Sequence, residues 1–190
     1  MDRLIVALGN PGREYEETRH NIAQMMFKRM SFEGTLAWKS KFKGQWASKD
    51  FGLGRVYFLI PETYMNLSGE SVAPLCQFFK IPIEKVLVVH DELDLPYGTL
   101  TFKTGGGLAG HNGLKSIAQH MGSQAFRRLR MGIGRPQRGS VSDFVLSEFS
   151  SEEKISLEDY LKLGAEAIED YCENGFQKTS GKYSKKSVLV

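Results

Sequence analysis

Two short apolar runs constrain the fold of this chain of 190 residues more than any other feature. Leu4-Ile5-Val6-Ala7-Leu8 and Val86-Leu87-Val88-Val89 are continuous rather than alternating. Successive strand residues point to opposite faces, so an unbroken apolar strand needs cover on both sides. Each run is also shorter than the roughly 10–12 residues expected of a helix. The first therefore reads as a buried strand and the second as a central strand. Around them the pattern alternates. Ile22, Met25, Met26 and Phe27 give an apolar face to a helix over 21–30, and strands at 45–50 and 55–60 join around Gly52 and Gly54. The spacing predicts a helix over 68–79 with Pro74 at a kink or boundary, then a strand at 100–104, a helix at 114–121 and a strand at 129–133. Ser150 and Glu153 have capping-box spacing ahead of a long amphipathic helix that stops near Gly175. Strands and helices in this order predict an α/β fold: one domain over 1–190, a mixed β-sheet flanked by helices on both faces. A basic tail from about 176, with Lys178, Lys182, Lys185 and Lys186, is open to flexibility.

Several classes are disfavoured at once. No apolar run approaches the ~20 residues of a membrane span, and the N-terminus lacks the long apolar region and cleavage site of a signal peptide. Cys76 and Cys172 stand far apart outside any C-x-x-C pattern. They read as buried free thiols of a cytoplasmic protein, not as a disulfide or a thiolate zinc site.

The net charge of +3 says little, but its distribution says more. No Asp or Glu falls between Leu95 and Ser142, a stretch holding seven basic residues: Lys103, Lys115, Arg127, Arg128, Arg130, Arg135 and Arg138. From Glu152 to Glu173 the sign reverses, with eight acids against two lysines. A carboxylate-free basic stretch suits a polyanion such as a nucleic-acid backbone, although a solvated surface produces the same pattern.

Four clusters offer chemistry. Gly9-Asn10-Pro11-Gly12 leads through Tyr15 to Thr18-Arg19-His20-Asn21. His90-Asp91-Glu92-Leu93-Asp94-Leu95-Pro96 follows the second apolar strand. Ligands bind at the carboxyl ends of strands in open α/β sheets, so Asn10 and Asp91 reach one crevice if their strands are neighbours. Thr63-Tyr64-Met65-Asn66-Leu67-Ser68-Gly69 and Gly105-Gly106-Gly107-Leu108-Ala109-Gly110-His111-Asn112 complete the set. The nucleophile motifs G-x-S-x-G and H-E-x-x-H are absent. A hydrolase of this composition would activate water with imidazole, orient the ring with a carboxylate, and steady an oxyanion with amides. His20, Asp91, Asn10, Asn66 and Asn112 supply those parts. Asp91, Glu92 and Asp94 instead suit a hard cation such as Mg²⁺, or a solvated turn.

In order and in kind, these clusters together with Arg128-Leu129-Arg130-Met131-Gly132-Ile133-Gly134-Arg135-Pro136 resemble the bacterial-type peptidyl-tRNA hydrolases, over about residues 1–150. The resemblance implies an ester hydrolase acting on peptidyl-tRNA, metal-independent, without cofactor, monomeric and cytoplasmic. It implies His20 as the base that activates water and Asp91 as its partner. Asn10 matches the position that tells N-blocked from free aminoacyl esters. Tyr15, Tyr64, Asn66 and Asn112 match substrate-binding positions, and Lys103 and Arg130 match positions that clamp tRNA phosphate. Leu108-Ala109 stands where His-Gly is more usual, Tyr64 where Phe is common, Ile60 where Lys is common, and Ala23 where Gly is frequent. A non-catalytic RNA-binding module and a metal-dependent hydrolase built on Asp91, Glu92 and Asp94 are the competing readings.

Overall fold

A computed structural model describes residues 1–189. In chain order its strands are β1 (Arg3–Ala7), β2 (Lys39–Lys41), β3 (Gly44–Phe51), β4 (Gly54–Pro61), β5 (Val86–Glu92), β6 (Thr99–Thr104), β7 (Arg127–Gly132) and β8 (Lys186–Ser187). They form one mixed sheet in the order β2-β3-β4-β1-β5-β7-β6-β8. The two apolar runs are neighbours at its centre, parallel, with Leu4 opposite Val86 and Ala7 opposite Val89. β4 and β7 extend the parallel core, while β2, β3, β6 and β8 add antiparallel margins.

Six helices cover this sheet: α1 (Ile22–Phe27), α2 (Gly69–Phe79), α3 (Asn112–Met121), α4 (Val141–Val145), α5 (Ser151–Asn174) and α6 (Phe176–Lys182). Ile5, Ala7, Leu87, Val89, Leu129 and Met131 pack on one face with Ile22 and Met26 of α1 and Tyr160, Leu161, Ile168 and Tyr171 of α5. Leu4, Val6, Val86 and Val88 pack on the other with Val72, Leu75 and Cys76 of α2 and Leu114 and Ile117 of α3. The central strands are apolar throughout because both faces are covered. Both cysteines are buried and free, and burial pushes each thiol up to about 12.

Element limits shift where tertiary contacts outweigh local pattern. The strand expected at 86–89 runs on to Glu92 because β7 continues the ladder, pairing His90 with Arg130 and Asp91 with Met131. The helix expected over 21–30 contracts to Ile22–Phe27, preceded by a 3-10 turn at Arg19–Asn21. α3 starts two residues before the expected 114, because the His111 side chain accepts hydrogen bonds at its N-terminus. Pro74 sits inside α2 on its exposed side, where the carbonyl it leaves unpaired can meet water. The capping box forms as the spacing predicts, with Ser150 Oγ accepting from Glu153 N–H and Glu153 accepting from Ser150 N–H. The basic tail is laid down on the domain: α6 buries Thr179, Tyr183 donates to Asp170, and β8 pairs with the β6 edge.

Candidate active site

The carboxyl ends of β1 and β5 open into a cleft of about 590 Å³. Asn10 leaves β1 in a fixed pose. Its backbone N–H donates to Asn21 Oδ1 and its carbonyl accepts from Asn21 Nδ2, each at 2.9 Å. Its own Oδ1 accepts the Met65 N–H at 2.7 Å, which assigns the amide orientation and leaves Nδ2 as the donor it offers to the cleft. Met65 lies in the Tyr64–Leu67 turn, so the same bond places Tyr64 and Asn66 on the rim. Across the cleft, Arg19 donates to the Glu148 carbonyl at 2.6 Å and to Glu153 Oε1 at 2.7 Å. The capping-box carboxylate thus also ties the His20 turn to the start of α5, and the Glu148 carbonyl ties it to the segment after α4.

At the centre is Asp91, with 3% exposure. Its Oδ2 lies 2.7 Å from His20 Nδ1 and its Oδ1 lies 2.8 Å from His111 Nε2. His111 Nδ1 faces the backbone N–H groups of Gly113 and Leu114 and must accept from them, so its proton is on Nε2 and points at Asp91. Burial works to raise the Asp91 carboxyl, but the charges and hydrogen bonds of the two imidazoles hold it well below the usual carboxylate range. For His20, burial works to lower the imidazole, yet the Asp91 charge and hydrogen bond prevail and the net shift is upward from 6.5. With Asp91 ionised, His20 donates from Nδ1 and its Nε2 keeps a lone pair. That is the arrangement of a general base with an oriented ring. His90 stays neutral, pushed well below 6.5 by burial. It donates from Nδ1 to the Asp91 carbonyl at 2.8 Å and packs edge-on against His111 at 5.3 Å.

The carboxylates in the competing cation reading do not converge. Glu92 Oε1 accepts from Arg130 Nε at 2.8 Å, and Asp94 Oδ1 accepts from Arg135. His20, Asp91 and His111 do converge, their ligand atoms within 4.8 Å of one another. A cation needs lone pairs, however, and the amides capped by His111 oblige it to present a proton to Asp91.

Asn10, Tyr15, His20, Tyr64, Asn66, Asp91 and Asn112 all line this one cleft. Lys103 and Arg130 do not. They lie on the α3 side of β6 and β7, where Lys103 stands opposite Arg128 and Arg130 two residues along. Arg130 adjoins the cleft through Glu92, which lines it. His111 is the residue that the sequence reading quoted without assigning a role. With the helix expected from 114, its N-cap place at 111 emerged only once α3 was seen to start at Asn112. Asn21 stood out in the sequence as the Asn beside His20 at a helix start, but its bonds to the Asn10 backbone carry no local signal.

A family model described as peptidyl-tRNA hydrolase matches residues 4–189. The chain belongs to the peptidyl-tRNA hydrolase family. A member from Geotalea uraniireducens is 45% identical over 188 residues, covering 98% of each chain, and one from Listeria monocytogenes is 42% identical over 185 residues, covering 97% of this chain and all of the other. Among solved structures, the peptidyl-tRNA hydrolase of Acinetobacter baumannii superposes with a TM-score of 0.88 at 34% identity, covering 97% of this chain and 95% of that one. Family membership thus extends past the motifs through α5, α6 and β8, into the segment beyond residue 150 where the sequence resemblance had no quoted motif.

Proposed function

We propose that this chain hydrolyses the ester joining the C-terminal carbonyl of a peptide to the 3′-terminal ribose of tRNA, releasing both. The observation that carries the reading is Asp91 held between two imidazoles at the floor of an amide-lined cleft, in a chain of this family. His20 Nε2 takes a proton from water as the water oxygen attacks the ester carbonyl. Asp91 stabilises the imidazolium that forms. Asn10 Nδ2 and the amides of Asn66 and Asn112 are placed to donate to the substrate and to the tetrahedral oxyanion. The imidazolium then returns its proton to the departing ribose oxygen, restoring the base.

Tyr15 and Tyr64 flank the ester, and Lys103 and Arg130 hold tRNA phosphates, contacts that carry affinity but little sequence preference. The protein acts as a monomer in the cytoplasm, where peptidyl-tRNA arises.

The decisive assay measures peptide release from N-acyl-aminoacyl-tRNA, with free aminoacyl-tRNA as control. The parent should cleave the blocked ester selectively and in the presence of a chelator. His20→Ala should lose about 10³-fold in kcat, the scale of a general base. Binding of tRNA without release would favour the non-catalytic RNA-binding reading instead.

A further inference from the structure

Behind the cleft lies a buried charge that the reaction above does not use. Arg128 is 1% exposed and is the largest fully buried side chain of the domain. Its hydrogen bonds run to backbone: Nη2 donates to the Gly105 carbonyl at 2.9 Å and to the Gly107 carbonyl at 3.1 Å. Its Nε is buried without a partner. One guanidinium nitrogen therefore bridges the two sides of Gly106. Gly105 and Gly106 have φ of +58° and +82°, which a side chain tolerates poorly, and a Cβ on Gly106 would sit 2.7 Å from Lys103 Cε. The loop continues through Leu108, Ala109 and Gly110, which line the cleft, to His111, which bonds Asp91. Ala109 and Gly110 also have positive φ, so this stretch has little regular structure of its own to fix its path.

We infer that Arg128 is a positioning residue that anchors the 105–110 loop through its backbone carbonyls, fixing the cleft wall against which the ester is seated. The inference rests on the hydrolase reading for its kinetic arm only. A Cβ on Gly106 would also lie 3.7 Å from Arg128 Nη2, so Gly106 sits beside both the anchor and Lys103, and one short length of backbone joins the basic strip to the cleft mouth.

The test uses the full chain with two substrates: N-acetyl-aminoacyl-tRNA, and N-acetyl-aminoacyl-adenosine, which carries the ester without tRNA phosphates. Arg128→Met should raise KM about tenfold for both, the scale of losing charge-assisted hydrogen bonds, with kcat within a few-fold of the parent. Arg128→Lys, which keeps a donor, should recover part of the loss. Gly106→Ala, with Arg128 intact, should reproduce the KM effect if the Met variant fails to fold. Amide hydrogen exchange at 106–110 should quicken in Arg128→Met while exchange in β5 stays slow, a result independent of any turnover. A KM effect confined to the tRNA substrate would make Arg128 a phosphate contact and overturn the inference. Unchanged loop exchange would overturn it too. Failure of the parent to release peptide would count against the hydrolase reading while leaving the exchange result to judge the anchor.

Discussion

Asp91 and Arg128 are both buried charges on adjacent strands, yet they are stabilised in opposite ways. Asp91 accepts one N–H on each oxygen, and one of the donors, His20, is the group whose charge changes. Arg128 donates to two carbonyls whose charge cannot change. Burial and the neighbouring Arg130 push the Arg128 guanidinium downward, with Glu92 working the other way, and no carboxylate bonds to it. An unpaired buried ion is costly, so each site persists only because its hydrogen bonds are made. The difference is one of use. A carboxylate ringed by titratable partners stabilises a charge that appears during a reaction. A cation ringed by fixed dipoles holds backbone in place. The same fold therefore separates the proton-handling end of β5 from the shape-holding end of β7.

The sharpest way to break this contrast is Asp91→Asn. Release should fall by about 10²-fold or more, as for loss of a ring-orienting carboxylate. The pH profile carries the sign. His20 must be neutral to act as base, and its pKa stands above 6.5 because Asp91 outweighs burial, so the parent loses activity as pH falls through a midpoint above 6.5. Without the carboxylate, burial alone remains, and the residual activity should show its acid limb at lower pH. A variant limb at or above the parent's would disprove the electrostatic role. The same linkage bears on stability. The raised His20 contributes below 6.5 and its contribution fades as pH rises, whereas the depressed Asp91 contributes above 3.8 and its contribution fades as pH falls. Stability followed from pH 3 to 9 in the parent and Asp91→Asn should separate the two contributions.

A smaller effect is expected at His111, which touches Asp91 but takes no proton in the reaction. His111→Ala should cost about tenfold in kcat and about 1 kcal/mol of stability from loss of the α3 cap. His111→Asn, able to cap, should regain the stability and not the rate, as read by thermal melting beside turnover. The smallest effect belongs to the surface end of the basic strip. Lys103→Ala should weaken tRNA binding a few-fold and reduce the slope of log affinity against log salt by about one, leaving the minimal ester unaffected. That pattern is the reverse of the one expected at Arg128, which lies directly opposite Lys103 in the ladder.

Some of this was legible before any coordinates. The unbroken runs Leu4–Leu8 and Val86–Val89 announced doubly covered strands, and both lie at the sheet centre. The Ser150–Glu153 pair announced a helix start, and the capping box is there. His20, Asp91 and the asparagines were picked out by chemical type and motif, and they line one cleft. What stayed hidden was relational. His111 could not be assigned, because its tautomer is decided by two amides at the start of α3 and by a carboxylate on β5. Asn21 could not be seen to fix Asn10, nor Glu153 to bind Arg19 besides capping its own helix. The extension of β5 to Glu92 depended on β7, whose pairing no local pattern records.

Local sequence settled the central strands, the main helices and which side chains can handle protons, because hydrophobic period and unperturbed pKa are properties of the residues themselves. The tertiary structure alone decided which proton sits on which nitrogen, and why Arg128 in the basic stretch bonds to backbone carbonyls while Arg130 and Arg135 pair with carboxylates. Those outcomes depend on distances between groups remote in the chain, and hydrogen-bond and Coulomb energies are fixed by such distances rather than by composition.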